Sequence, residues 1–291
     1  MKKTGKNKIL VIAIFAVTVM FFSVSCSSAP KTAEDVYEMR SRTEKELKMG
    51  GREASMGNFE GALLILRECK RKAVLTDDSS LMIRCGLSLG NVLYSLGMTD
   101  EAFAEWDQAV AEAQKMGNSE LLSFSRIFRA RGNLVSGRAS AQSVLDEVNR
   151  ESANIKNDRL YIAFCWQVKG LALRSLGSYR EAEDALRRSL EIHEREKYLE
   201  NVSYDWYTIA SVRSLAGNIQ GALQALETSI AIDRRIENSW GLASSWRAMG
   251  DVYRRAGRME EALEAYNRAR AIYSAMGNEH EAAETERRIR N

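Results

Sequence analysis

The sequence predicts an all-α solenoid of about six helix-turn-helix repeats, closed by a C-terminal capping helix. Glycine recurs at steps of forty residues, at Gly57, Gly97, Gly137, Gly177, Gly217 and Gly257. The single proline, Pro30, lies near the N-terminus, and a long proline-free chain rich in Ala, Leu, Glu and Arg favours helix. With 28% charged and 45% hydrophobic residues, the 291-residue chain has the composition of a folded protein.

The N-terminal segment has the pattern of a secretory signal. Residues 1–8 contain four lysines, and residues 9–22 form an apolar run that is shorter than a membrane-spanning helix. The following "SVSC" resembles a bacterial lipoprotein signal, in which a peptidase cuts before a cysteine that then carries lipid. We therefore predict a signal peptide over residues 1–25, lipidation of Cys26 and a short tether over residues 26–33. An ordinary cleavage site or an uncleaved anchor are the alternatives.

Charge and location follow from this segment. Removing residues 1–25 takes away four lysines and no acid, which lowers the net charge from +3 to about −1. The charge therefore gives no support to nucleic acid binding. Anchoring through Cys26 predicts a place in the bacterial cell envelope. Ser27 stands where some inner-membrane lipoproteins have an aspartate, which favours the outer membrane facing the periplasm over the inner membrane or the cell surface.

The repeat domain is predicted over residues 34–291. Its six copies fall near residues 43–82, 83–122, 123–162, 163–202, 203–242 and 243–282, with a cap over 279–291. Each turn glycine can adopt the positive φ that ends a helix. Small residues stand seven positions before the glycine and five after it, where we expect paired helices to approach closely; they include Gly50, Gly250, Ala182 and Ala222. Leucine or an aromatic residue nine positions after the glycine, as at Leu186 and Tyr266, would fill that contact.

The third copy departs from this pattern. Gln142 and Asp146 occupy positions that the other copies give to small and apolar residues. Shifting the second helix by one residue would place Ala141, Leu145 and Val148 against its neighbour. We therefore expect a turn one residue shorter, with a compensating residue near position 157.

Cysteine and histidine indicate no reactive or metal site. Cys69, Cys85 and Cys165 remain after the predicted signal, and an odd number favours buried free thiols, although Cys69 and Cys85 would lie on adjacent helices. His193 and His280 lie on charged helical stretches without triad or metal-ligand neighbours. We therefore predict no catalytic residue, no metal and no cofactor.

The sixth copy resembles the tetratricopeptide repeat family. The resemblance rests on an aromatic and small-residue pattern: Trp246, Gly250, Tyr253, Gly257, Ala262, Tyr266 and Ala269. It covers about residues 43–282 and implies a right-handed superhelix whose first helices line a concave groove. Transferred position by position, the groove would contain Arg84, Asn91, Tyr94, Phe124, Ile127, Arg131, Phe164, Gln167, Arg174, Tyr204, Tyr207, Arg247, Asp251 and Arg254. The aromatic members could instead be core.

The resemblance implies a protein-binding function. We expect a membrane-anchored scaffold or adaptor that binds a protein or peptide in the groove and helps to assemble an envelope complex. Leu87 stands where the family's carboxylate clamp needs a lysine, so a receptor for chaperone tails is not supported. The alternative is an accessory lipoprotein that holds an apolar small ligand. Whether the protein forms a homo-oligomer is left open.

Overall fold

The computed structural model describes residues 33–290, so the predicted signal peptide and Cys26 lie outside the described residues. Within this range the chain forms thirteen helices and no strand. They are α1 Ala33–Ser55, α2 Phe59–Leu75, α3 Ser79–Ser95, α4 Thr99–Met116, α5 Ser119–Val135, α6 Ala141–Ser152, α7 Arg159–Ser175, α8 Tyr179–Glu196, α9 Leu199–Leu215, α10 Ile219–Arg235, α11 Ser239–Arg255, α12 Met259–Ala275 and α13 Glu279–Arg290. None of these helices is both long and apolar enough to span a bilayer.

The helices form six antiparallel pairs followed by α13, which confirms the predicted all-α solenoid. All six turn glycines have positive φ, between 72° and 84°. The turns between repeats use the same left-handed conformation twenty residues further on, at Asp77, Gly117, Lys197, Glu237 and Gly277. Because three of these five residues are not glycine, the glycine pattern did not reveal this second set of turns.

The predicted close contact between the two helices of a repeat is confirmed outside the third repeat. A Cβ added at Gly50, Gly170 or Gly250 would collide with the side chain of the residue nine positions after the turn glycine, for example Tyr266 against Gly250. The facing small residues, including Ala182 and Ala222, are fully buried. The glycines therefore let a large side chain lie directly on the backbone of the neighbouring helix.

The prediction for the third turn is wrong. Helix α6 begins four residues after Gly137, whereas the other second helices begin two residues after their turn glycine, so the turn is two residues longer rather than one shorter. The Ser140 hydroxyl caps the late start by accepting a hydrogen bond from the Ser143 N–H at 3.1 Å. Val144 and Val148 consequently face inward, and both are 1% exposed.

The loop after α6 compensates for the longer turn before this helix. Helix α6 has only twelve residues, and residues 153–158 connect it to α7. The Glu120 carboxylate accepts hydrogen bonds from the backbone N–H groups of Lys156, Asn157 and Asp158, at 2.8 to 3.1 Å. These bonds lower the pKa of Glu120 to about 2, because they favour its charged form. One acidic side chain therefore holds the irregular loop against α5.

Three junctions between repeats share a register that the sequence analysis missed. At these junctions the residue twelve positions after one turn glycine faces the residue twelve positions before the next one. At the first junction these residues are Cys69 and Cys85, which form a disulfide with Cα atoms 6.3 Å apart. The expectation of free thiols is therefore wrong for this pair, because small junction residues bring the two backbones within disulfide range. Cys165 is free and buried, and burial raises the pKa of its thiol to about 12.

The two ends of the solenoid meet. Helix α11 contacts α1, and the Phe59 ring lies edge-on against Trp240 with 4.8 Å between ring centroids. An ion pair of 3.3 Å joins Arg52 to Glu237 beside this contact. The array therefore closes on itself into a ring between its first and sixth repeats.

Candidate functional site

The candidate site is the face formed by the first helices of the repeats, where the sequence predicted a groove. An aromatic cluster lies at its centre, where α5 meets α7. Phe124 stacks on Tyr161 with 3.8 Å between centroids and meets Phe164 at 5.4 Å, while Phe128 stacks on Phe164 at 5.2 Å. All four rings are partly exposed. The cluster is thus a set of rings that support one another and still present surface to solvent.

The sequence did not predict two members of this aromatic cluster, Phe128 and Tyr161. Phe128 lies one helical turn after Phe124, and Tyr161 lies one turn before Phe164, but neither aromatic residue recurs at the forty-residue step. Helices α5 and α7 touch directly, and this contact brings the four rings together. A local helical spacing of three or four residues was the available signal.

A second aromatic pair lies further along the same face, on α9. The Tyr204 and Tyr207 rings have centroids 6.1 Å apart. The pKa of the Tyr207 hydroxyl is raised, first by its removal from water and then by Tyr204, while Arg247 and Arg174 oppose the shift. Tyr207 therefore stays neutral and can donate or accept a hydrogen bond at neutral pH.

Two arginines on this face have no ion-pair partner among residues 33–290. Arg174 donates to the Ser211 hydroxyl at 3.2 Å and to no carboxylate. The Arg131 guanidinium lies 5.9 Å from the Phe128 ring centroid, and its Nε is buried without a hydrogen-bond partner within the described chain. A buried donor without a partner is costly unless a ligand or water satisfies it.

Other predicted groove residues have partners within the chain. Arg84 pairs with Glu44 at 3.5 Å, and Tyr94 lies against Trp106 at 6.0 Å between centroids. Arg254 is 3.8 Å from Asp251, and Asn91 is partly exposed. These residues extend the face at both ends, but they are less available to a binding partner than Arg131 and Arg174.

Two groove assignments are wrong because the side chains are core. Ile127 is fully buried in a hydrophobic cluster with Val144 and Val148, which the late start of α6 brings against it. Gln167 is 4% exposed, and its Nε2 donates to Asp205 Oδ1 at 2.9 Å. Neither side chain can contact a partner on the concave face.

The capping helix α13 binds two further residues that the sequence placed in the groove. Arg247 on α11 forms an ion pair with Glu281. The Asp251 carboxylate accepts hydrogen bonds from Arg288 at 2.6 Å and from the Tyr266 hydroxyl at 2.8 Å. Arg247 and Asp251 therefore attach α13 to the last repeat, which corrects their assignment as free groove residues.

A buried polar cluster joins the fourth and fifth repeats. Asp205 is fully buried and accepts hydrogen bonds from Gln167, from the Ser189 hydroxyl at 3.1 Å and from His193 Nδ1 at 2.7 Å. His193 lies on a charged helical stretch, as the sequence indicated, but its side chain is only 1% exposed. Ser189 and Asp205 both meet Nδ1, whereas a catalytic triad needs its serine at Nε2. The cluster is therefore a closed structural network.

The next repeat buries an acid at the position equivalent to His193. Asp233 is 1% exposed and accepts a hydrogen bond from Asn238 Nδ2 at 2.8 Å. Burial raises the pKa of Asp233 to about 6, although its hydrogen bonds act in the opposite direction. No set of three or more His, Cys, Asp or Glu residues within the described part of the chain could hold a metal ion.

The fold and the concave face define a helical-repeat solenoid. Residues 203–275 and 169–196 match sequence models of the tetratricopeptide repeat. The chain therefore contains tetratricopeptide repeats, as the resemblance predicted. No curated protein sequence matches it significantly.

Solved structures share the fold at low sequence identity. A Rap protein in complex with Competence and Sporulation Factor superimposes with a TM-score of 0.58 at 15% identity, covering 89% of this chain and 79% of that one. Aspartyl phosphate phosphatase F from Bacillus subtilis gives 0.56 at 10% identity over the same shares. A thermophilic repeat protein from Thermus thermophilus gives 0.53 at 18% identity, covering 70% of this chain and 98% of that one.

Proposed function

We propose that the protein is a scaffold that binds an extended segment of a partner protein on its concave face and helps to assemble a complex in the cell envelope. The observation that carries this proposal is the partly exposed aromatic cluster beside Arg131, with Arg174 further along the same face. Neither arginine has a carboxylate partner within the described chain. Aromatic rings and arginine are the residue types that dominate protein-binding surfaces. Arginine also hydrogen-bonds the carbonyl and carboxylate groups that an extended chain presents.

The structural comparisons support the same class of function. The Rap protein that shares this fold is described in complex with Competence and Sporulation Factor. Repeats of this kind stack into extended concave surfaces, which suit long flexible ligands better than compact ones. The proposal assigns no catalytic step to the chain.

Charge reversal on the concave face is expected to weaken binding without unfolding the protein. A random peptide library displayed on phage, selected on the wild type, would supply peptide probes. Arg174→Glu combined with Arg254→Glu should weaken the selected peptides at least tenfold, because both arginines lie on this face and neither is buried core. Binding is measured by calorimetry and stability by thermal melting.

The matched control reverses two charges on the second helices. Arg71 and Arg195 each form one exposed ion pair within their own helix, so Arg71→Glu with Arg195→Glu changes the net charge equally. This control should bind the selected peptides with wild-type affinity. Equal affinities for the wild type and the concave-face variant would show that the peptides bind elsewhere.

The membrane anchor is a separate part of the proposal. It rests on the signal-like residues 1–25 and on Cys26, which lie outside the described residues. The Cys69–Cys85 disulfide fits an oxidising compartment such as the periplasm. Metabolic labelling with an alkyne fatty acid should label the wild type and not Cys26→Ser. An unlabelled wild type would contradict the anchor and leave the scaffold proposal intact.

A second candidate function is the binding of a small apolar ligand. A cavity of about 180 Å³ lies beside the short α6, lined by Val148, Ile155, Cys165 and Trp166 among others. Native mass spectrometry of the purified protein distinguishes the two functions. A small molecule that co-purifies and is lost in Cys165→Trp would favour this candidate.

A further inference from the structure

The contact between the two ends of the ring has no equivalent elsewhere in the repeat array. We call this contact the seam; it comprises Arg52, Gly57 and Phe59 of the first repeat and Glu237, Trp240 and Met276 at the other end. Phe59 meets Trp240 edge-on, Arg52 pairs with Glu237, and Met276 covers Gly57. Neighbouring repeats stack through their helix faces, whereas the seam joins a turn to helix ends.

The seam residues differ from their counterparts in the other repeats. Phe59 is 6% exposed, whereas Met259, at the same repeat position, is 57% exposed. Trp240 stands where the preceding repeats have Ser80, Glu120, Leu160 and Glu200. Tyr179 is the one other aromatic residue at the position of Phe59, and Trp240 also packs on Tyr273 within the sixth repeat, with 5.5 Å between ring centroids. The contact between Phe59 and Trp240 occurs only at the seam.

The turn glycines also distinguish the first repeat from the other five. A Cβ added at Gly57 would collide with the Met276 thioether, and Gly57 is buried. At the other five turn glycines nothing lies within 4 Å of an added Cβ. The first turn alone is covered by a distant part of the chain.

The seam is nevertheless loosely packed. Its ion pair is exposed on both sides, with 66% and 74% of the two side chains accessible, and such pairs contribute little to stability. A cavity of about 670 Å³ remains open beside it, lined by Met56, Asn58, Leu242, Ile272 and Met276 among others. Solenoid stability comes from contacts between adjacent repeats, so the stack does not need the seam in order to fold.

We propose that the seam is a latch, which opens and closes the ring while the repeats stay folded. In the closed ring, a partner segment reaches the concave face only by threading through from one end. In the open form, a segment that is flanked by folded domains can enter from the side. The latch controls which partners gain access, and in this respect it rests on the proposed function.

The opening itself is tested without any partner. Nitroxide labels on Lys48→Cys and Arg235→Cys, two exposed positions on either side of the seam, report the end-to-end distance by pulsed electron double resonance. We expect a short and a long distance to coexist. Arg52→Glu should at least double the long population, because the reversed charge would repel Glu237.

The swapped pair is the matched control for this variant. Arg52→Glu with Glu237→Arg restores an opposite-charge pair and should restore the short distance. All three proteins should melt within a few degrees of one another, because opening leaves the stacked repeats intact. A single distance that none of the variants changes would overturn the latch.

Access to the concave face is tested with a locked ring. Arg52→Cys and Glu237→Cys would be bridged by a short bismaleimide, with each single variant capped by a monomaleimide as control. The probe is a peptide selected on the wild type and placed between two folded domains, so that it cannot thread. The lock should slow its association at least tenfold and leave the free peptide nearly unaffected.

The outcomes separate the latch from the binding function. Equal association of the flanked probe with locked and unlocked protein would contradict the latch, provided that Arg174→Glu with Arg254→Glu still weakens binding. If no selected peptide depends on the concave face, the proposed function fails instead, and the distance measurement alone decides on the latch.

Discussion

Replacing Ala222 with arginine is expected to lower the free energy of unfolding by about 3 kcal/mol or more. Ala222 is fully buried where α10 crosses α9, and Ala210 on α9 is 1% exposed. A long cationic side chain at this place would both separate the helices and bury an unpaired charge. Ala182→Arg should have the same effect at the equivalent position of the fourth repeat.

The control for this prediction lies on the same helix. Ala231 is exposed on α10, so Ala231→Arg adds the same side chain where solvent can receive it. Chemical denaturation followed by circular dichroism should place Ala231→Arg within about 0.5 kcal/mol of the wild type. If Ala222→Arg and Ala231→Arg unfold at the same denaturant concentration, the register of helix packing described above is incorrect.

Replacing Asp205 with alanine is expected to cost about 3 kcal/mol or more, because each buried donor that loses its acceptor costs about 1–3 kcal/mol. Gln167, Ser189 and His193 would all lose their shared acceptor inside the protein. Asp205→Asn keeps one acceptor oxygen and should lose less. The measurement is the free energy of unfolding at pH 7.

A substitution at a second position shows whether the loss of stability in Asp205→Ala comes from the hydrogen bonds to Asp205. Ser245 occupies the equivalent place in the next repeat and is buried with a single hydroxyl partner, Ser229, at 3.0 Å. Ser245→Ala should cost only about 1 kcal/mol. Similar losses for Asp205→Ala and Ser245→Ala would mean that the bonds to Asp205 contribute little beyond those of an ordinary junction residue.

The sequence predicted features that recur with the same type of residue and missed those whose residue type varies or that occur once. The forty-residue glycine step located the turns, and the small residues around it located the close contacts within each pair. The turns between repeats escaped notice because Asp77, Lys197 and Glu237 adopt positive φ without being glycine. A side chain can be held in this conformation by the helices on both sides, whereas composition alone points to glycine.

The candidate site could be predicted only in part. Phe124 and Phe164 were found from their repeat spacing, but their burial depends on how α5 meets α7, which the spacing does not specify. The cap's use of Arg247 and Asp251 depends on where Glu281 and Arg288 fall after the last turn. Such contacts connect residues about 34 and 37 positions apart, and the pattern within one repeat does not specify them.

Closure of the array ties the shape of each repeat to the number of copies. An open solenoid can gain or lose a unit by duplication or deletion, because every unit contacts only its neighbours. Here the small rotation between successive units must add up over six copies for Phe59 to reach Trp240. A seventh copy, or the deletion of one copy, would separate Phe59 from Trp240. The meeting of the two ends thus makes closure of the array depend on the number of copies.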